Sequence, residues 1–247
     1  MRGKHMKTIK DYIKNNSYPG RGIIVGMTEN GKAVIGYFIS GRSANSRNRV
    51  FEIDEKGDVF TKPFDESKVE DPSLIIYRAV AHMKNALIVT NGDQTDTVAT
   101  FMEKGDSARD GLMTREFEPD RPNFTPRISA VLGFVNSGAE RVVFGYEMSI
   151  LKSADSEGSA CNRFFYDYTA LSGRGHFIHT YEGDGNPLPT FCGEPKTLKI
   201  SNDIDEMTDE IWSSLDEDNR ISLYVEYIDL KTMESVTRLV NKNKKVK

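Results

Sequence analysis

Cysteine, tryptophan and histidine are scarce in this chain, at two, one and four residues out of 247. Cys161 and Cys192 stand far apart with no CxxC spacing, so neither a thiolate zinc site nor a dithiol redox pair has support, and both are expected as free thiols. A positive surplus is lacking as well. Lys and Arg number 33 against 37 Asp and Glu, a formal net charge of -4, which excludes nucleic-acid binding through a broadly basic surface. Any bound anion must therefore be held by local arginine clusters. No apolar run approaches the roughly 18 residues of a membrane helix, and no charged start leads into an apolar secretory stretch, so a cytoplasmic protein with no membrane partner is expected. The patterns HExxH, GxGxxG and GxxxxGK(S/T) and a Ser/His/Asp order are missing too, which removes support for zincin, Rossmann, P-loop and triad chemistry. His82, His176 and His179 are read as structural, and residues 1–6 are assigned no function.

What is there suits a folded globular chain: 38% hydrophobic and 28% charged residues, long enough for one substantial core. A single domain over 1–247 is expected, with an N-terminal helix and extension at 1–17 and a basic tail at 241–247. Residues 7–15 carry Ile9, Tyr12 and Ile13 on one helical face. The period then changes to two. Runs 22–27 and 33–39 flank Thr28-Glu29-Asn30-Gly31-Lys32, a hairpin signal because Asn-Gly tolerates positive φ. Further strands are expected at 50–53, 59–61, 74–82 and 86–90, then helices from a cap at Asp93, Thr95 or Asp96 to Gly105 and from 108 to about 117. Strands resume at 128–136, 141–150, 162–170 and 176–181; a Gly- and Pro-rich loop at 182–195 leads to a helix at 204–215 and strands at 221–229 and 236–240. This order predicts an α+β fold with helices covering packed, mostly antiparallel sheets.

Three polar segments stand out. Gly41-Arg42-Ser43-Ala44-Asn45-Ser46-Arg47-Asn48-Arg49 offers guanidinium forks, hydroxyls and amides that suit an anion, though a solvated basic turn has the same composition. Val89-Thr90-Asn91-Gly92-Asp93-Gln94-Thr95-Asp96-Thr97 runs from an apolar strand into a helix start, where free N–H groups favour negative charge; a tight turn and helix cap need the same residues. Phe117-Glu118-Pro119-Asp120-Arg121-Pro122-Asn123-Phe124-Thr125-Pro126-Arg127 has three prolines, which stiffen either a structural connector or a loop that holds a carboxylate in place. Tyr77 falls in the run Leu74-Ile75-Ile76-Tyr77-Arg78-Ala79, on the face opposite Ile76; it reads as a core tyrosine or as a phenol able to donate a proton.

Taken in order, Tyr18-Pro19-Gly20-Arg21, Gly41-Arg42-Ser43-Ala44-Asn45-Ser46-Arg47, Tyr77, Thr90-Asn91-Gly92-Asp93-Gln94-Thr95-Asp96-Thr97 and Thr125-Pro126-Arg127-Ile128 resemble the archaeal-type IMP cyclohydrolase family. The resemblance spans roughly residues 18–182, with Thr180-Tyr181-Glu182 as its last match. It implies an Ntn-hydrolase-like, four-layer αββα sandwich. It also implies closure of 5-formamido-imidazole-4-carboxamide ribotide (FAICAR) to IMP with loss of water, in purine biosynthesis, with no metal or other cofactor. Carried onto this chain, it makes Arg47, Tyr77 and Glu118 the catalytic candidates. The loop from Glu118 to Arg127 is one residue longer and richer in proline than the archaeal form, so Asp120 and Glu116 stand beside Glu118 as alternatives.

Under this resemblance Arg21, Arg42 and Arg127 hold the ribotide phosphate or its neighbours, and Asn45, Asn91 and Asp93 orient amides or ribose. Ser43, Gly92, Thr95 and Asn123 complete the expected substrate-binding set. Arg47 and Tyr77 would act at the formyl oxygen and Glu118 would relay the proton. No Cys, Ser or Thr is exposed as an N-terminal nucleophile, so covalent catalysis is not expected. Two other readings are carried: an Ntn-type amidohydrolase using Cys161 or an internal Ser, and a non-catalytic purine-ribotide-binding protein. The sequence leaves assembly into a homo-oligomer open.

Overall fold

The computed structural model describes residues 6–69, 76–136 and 142–243. The strand start expected at 74–75, Arg141, the first five residues and tail residues 244–247 lie outside that set. In chain order the elements begin with α1 (Lys10–Ile13), β1 (Arg21–Met27), β2 (Lys32–Ser40), α2 (Ala44–Arg47), β3 (Arg49–Ile53), β4 (Val59–Pro63), β5 (Tyr77–Met83), β6 (Ala86–Thr90), α3 (Gln94–Glu103) and α4 (Ala108–Met113). There follow β7 (Arg127–Asn136), β8 (Val142–Ser153), β9 (Cys161–Thr169), β10 (Arg174–His179), β11 (Lys196–Lys199), α5 (Ile204–Ser214), β12 (Arg220–Asp229) and β13 (Ser235–Asn241).

Among the described residues these strands make two sheets, one ordered β11-β10-β1-β2-β12-β13 and the other a meander from β3 to β9. Neighbouring strands run antiparallel throughout. The architecture is thus α+β, dominated by antiparallel sheet. In the β1–β2 hairpin only Gly31 takes the left-handed conformation, at φ +82, while Thr28 Oγ1 accepts the Lys32 N–H at 2.8 Å to close the turn.

Strand alternation sorts the apolar side chains. Ala33, Ile35, Tyr37 and Ile39 of β2 join Ile23 and Val25 of β1 in one cluster with Phe51, Val59, Tyr77, Val89, Ile128 and Ala130 from the second sheet. The intervening residues Ile24, Val34 and Phe38 belong to a separate cluster with Ile9 and Ile13 of α1 and Met207 and Ile211 of α5. Ala81 and Ile88 of the second sheet meet Val98 and Ala99 of α3 and Leu112 of α4. Strands β1, β2 and β12 are consequently buried along nearly their whole length. Each fully buried aliphatic or aromatic side chain is worth about 1.5–3 kcal/mol against exposure, so the two-faced burial of the first sheet is the main driving force for its position.

Four expectations change in detail. The helix expected to reach about 117 stops at Met113, because Thr114 N–H closes back on Gly111 O at 3.2 Å and the proline-bearing loop cannot continue it. The polar stretch after β2 contains a helical turn, α2, held by a Ser43–Ser46 capping box. Lys196–Lys199, to which the sequence pattern assigns no element between the loop at 182–195 and the helix at 204–215, adds a short edge strand to β10. Asp93 occupies the N-cap position of α3 without making a side-chain cap bond.

Candidate active site

Register places the functional segments together. Arg21 pairs with Ile39, Arg49 with Pro63, Thr61 with Tyr77 and Thr90 with Ser129. The starts of β1, β3, β5 and β7 therefore share one end of the two sheets with the ends of β2, β4 and β6. Contacts cross between the sheets and their loops there: Arg21 Nη2 donates to Glu118 Oε1 at 2.7 Å, the Tyr37 and Tyr77 hydroxyls lie 2.8 Å apart, and Arg49 Nη2 donates to Ser40 O at 3.1 Å. Gly20 brings the first segment in. Its φ is +73, and a Cβ on it would lie 2.0 Å from Thr180 Oγ1, so no other residue fits. Arg21 N–H then donates to that same oxygen at 3.1 Å.

Glu118 and Arg21 are both largely buried, with side chains about one-tenth exposed. Burial holds the Glu118 carboxyl above its ordinary range; Arg21 and Arg127 pull it back and Asp120 adds to the rise. For Arg21, burial works against the charge, but Glu118 and then the phenols of Tyr181, Tyr77 and Tyr37 outweigh it and keep the guanidinium firmly protonated. Of the three acids in this loop, Glu118 is the one turned inward. Asp120 accepts from Thr125 N–H at 2.7 Å and Oγ1–H at 2.5 Å, bracing the loop, and Glu116 is mostly exposed beside Arg163.

Arg127, also buried, donates from Nη1 to Gln94 Oε1 and to Asp93 Oδ1, both at 2.7 Å. This explains the missing helix cap: the Asp93 carboxylate is drawn to Arg127 and to Arg115 at 2.5 Å instead. Burial would raise the Asp93 pKa, but the two arginines more than offset it and hold the group ionised. Gly92 leaves room for this arrangement, since a Cβ there would sit 2.6 Å from Arg127 Nη1. Among the described residues, Arg21 Nε and Arg127 Nε are buried with no hydrogen-bond partner. Both are donors left without an acceptor.

The other expected residues serve around this centre rather than in it. Asn91 is tied into the frame: it donates to Pro126 O at 2.9 Å and accepts from Ile128 N–H at 2.8 Å and Gln94 Nε2 at 2.9 Å. Thr95 anchors the turn through Thr90 Oγ1 at 2.7 Å. Asn123 accepts the Leu188 N–H at 3.1 Å, linking the proline loop to residues 182–195. Arg42 reaches that same stretch, pairing with Asp184, donating to Gly185 O at 2.8 Å and lying over the Tyr18 ring at 5.3 Å. Ser43 is engaged in its capping box, and Asn45 Oδ1 is buried without a partner among the described residues.

Arg47 is turned outward, donating to Gly41 O at 3.2 Å and Asn219 Oδ1 at 3.1 Å. Its neighbour Arg49 is the buried arginine of this segment, with Nε on Ser46 O at 2.7 Å and Nη2 on Ser40 O at 3.1 Å, close enough to Tyr37 to act on it electrostatically. Arg49, Tyr37 and Gln94 are site residues that pattern reading did not single out. The available signal was faint: Arg49 was merely the third arginine of its segment, and Tyr37 shares the alternation of the apolar residues around it. Among the described residues no group of three or more His, Cys, Asp or Glu is arranged to hold a metal, and no helix is long and apolar enough to cross a membrane.

Fold and site together define an α+β protein of paired antiparallel sheets whose polar centre, an arginine-flanked buried carboxylate, is equipped to hold an anion and exchange a proton. The chain matches the IMP cyclohydrolase-like protein family over residues 18–232 and belongs to it. Similar proteins carry the name IMP cyclohydrolase. One from Methanopyrus kandleri is 32% identical over 152 residues, covering 57% of this chain and 72% of that protein. One from Methanococcus maripaludis strain C7 is 34% identical over 119 residues, and one from Methanocella arvoryzae is 34% identical over the same length. Each of these alignments covers 47% of this chain, and 58% and 57% respectively of the relative, so the chain spans less than two thirds of those two proteins.

Proposed function

We propose that this chain is an IMP cyclohydrolase that closes FAICAR to IMP within a single domain of the Ntn-hydrolase-like, four-layer αββα type. The observation that carries the reading is the buried Glu118 carboxyl held above its ordinary pKa between Arg21 and Arg127, on a chain whose relatives bear that name. In this reaction the carboxamide nitrogen attacks the formyl carbon and its proton passes to the formyl oxygen. The resulting hydroxyl then leaves as water with the proton of the formamide nitrogen. Orienting the two groups of one molecule can supply up to about 7–11 kcal/mol of the acceleration, and a carboxyl of raised pKa suits the double role of taking a proton from nitrogen and delivering one to oxygen.

In this mechanism Arg21 and Arg127 meet the anionic ligand with their free Nε–H groups, Tyr77 donates to the formyl oxygen and Glu118 relays the proton. Arg42 serves at the rim, and Asn91 and Thr95 hold the frame. The family resemblance gives Arg47 a role with Tyr77 at the formyl oxygen; of the three arginines at 42–49, Arg49 is the one buried beside Tyr37, which makes it a second candidate for that role. The amidohydrolase alternative loses ground, since Cys161 packs against the α3–α4 cluster and burial raises its thiol pKa. The test is spectrophotometric turnover of FAICAR by the purified chain, alongside calorimetry with IMP. Turnover that survives thiol alkylation is the expected result, and IMP binding without turnover would reduce the protein to a ribotide binder.

A further inference from the structure

Tyr37 belongs to no segment assigned to the site, yet its hydroxyl ends within 2.8 Å of Tyr77's. Either oxygen could donate by geometry; the surroundings decide. Tyr37 is fully buried in the middle of β2, its ring stacked on Phe51 at a centroid distance of 5.4 Å. Among the described residues its hydroxyl has one hydrogen-bond partner, Tyr77. The charged groups that face it electrostatically are Arg21 and Arg49, and a guanidinium offers donors but no acceptor. If Tyr37 accepted from Tyr77, its own proton would be buried with nowhere to go, the costly arrangement for a hydroxyl. The Tyr77 hydroxyl has no second partner among the described residues either, but it differs in position. Tyr77 begins β5 at the site end of the sheets and keeps 6% exposure.

We infer that Tyr37 is a positioning residue that donates its proton to Tyr77, leaving the Tyr77 O–H directed to the ligand as the outward end of a one-way pair of phenols. The inference rests on the proposed role of Tyr77 in ring closure. By occupying a lone pair of Tyr77, Tyr37 fixes that hydroxyl in the donor sense and polarises it for transfer to the oxygen that becomes water. The deeper phenol keeps its proton: burial, and next Tyr77 itself, hold Tyr37 well above the ordinary tyrosine pKa, with Arg21 and Arg49 opposing.

A double-mutant cycle on the full chain tests this. Tyr37→Phe should lower kcat for FAICAR about tenfold while KM and the calorimetric affinity for IMP stay within twofold. In a Tyr77→Phe background the same change should have no further effect on kcat. Stability supplies an independent arm, because Tyr77→Phe strands the buried Tyr37 proton whereas the double variant removes it. The urea midpoint should therefore fall further in Tyr77→Phe than in Tyr37→Phe and recover in the double variant. Equal kcat losses in both backgrounds, or a midpoint that falls further in the double variant than in Tyr77→Phe, would overturn the inference while leaving the cyclohydrolase reading in place. If the unaltered chain shows no FAICAR turnover, it is that reading that fails, and the midpoints alone then decide the direction of the phenol pair.

Discussion

Acids stand at positions 116, 118 and 120, and burial is what separates them. Glu118 alone is drawn in against two arginines, so it alone combines a raised pKa with cations that stabilise its ionised form when a proton leaves. Glu118→Gln keeps the shape and removes the titration. Turnover of FAICAR should drop by about 10²–10⁴-fold, the usual range for a lost acid–base group, with circular dichroism confirming the fold. A loss of no more than twofold would remove Glu118 from the mechanism. Arg21 would keep a neutral acceptor in this variant, so some loss of stability is expected alongside the catalytic loss. Asp120 plays a different part, since with both oxygens engaged by Thr125 it sets the shape of the loop that presents Glu118.

At the level of elements, the β6–α3 turn carries two duties that compete for the same residues. A helix start of this kind takes Asp at its N-cap, but Asp93 leaves that role to bridge Arg115 and Arg127. The turn survives because Thr90 and Thr95 hydroxyls and the Asn91 amide close it from behind. Gly92→Ala probes this division. The added methyl would meet Arg127 Nη1 at 2.6 Å and Gln94 Oε1 at 2.7 Å, side-chain ends rather than backbone, but buried and hydrogen-bonded to each other. Displacing this buried pair should lower the urea midpoint as well, and IMP affinity should fall about tenfold, or roughly 1.4 kcal/mol. Unchanged affinity by calorimetry would take Arg127 out of the ligand contact. The element least readable in advance was α2, since it buries no residue and so carries no apolar face to detect, and its evidence is a capping box alone.

For the whole molecule, acid is the revealing perturbant. His179 is almost fully buried, its Nδ1 lying 2.8 Å from Tyr181 O, and burial lowers its pKa to about 4. Burial, then Arg174, also lowers His176 to about 4. Unfolded histidines take up protons as pH falls through about 6.5 while these two resist until about 4, so folding stability present above 6.5 is lost progressively across that window. His179 alone accounts for roughly 3 kcal/mol. His82 runs the other way. Although burial disfavours its charge, Glu226 and Asp58 raise its pKa, so its contribution is present at low pH and lost as pH rises through the raised value. Urea midpoints for the parent chain and His179→Gln should converge as pH falls through the window. A parent midpoint that does not change between pH 6.5 and 4 would contradict a buried neutral His179.

Much of this architecture is written locally. Alternation in 22–27 and 33–39 with Asn30-Gly31 between them determines a hairpin before any contact is known, and the order of the polar segments around Tyr77 identifies the family. Those signals depend on neighbours within a few residues. The selections that make the site depend on distant ones: Glu118 among three acids by Arg21, 97 residues away, and Tyr37 by Tyr77, 40 residues away. Arg49 is buried and Arg47 exposed in the same manner, because the start of β3 is packed and the turn before it is not. Sequence by itself determined most of the strands, the Asn-Gly turn and many of the candidate side chains, but not Tyr37, Arg49 or Gln94. Tertiary structure decided which candidates lose water, find a counter-charge or surrender a cap, because sheet register and the packing of one sheet on the other create those environments, and no local pattern encodes them.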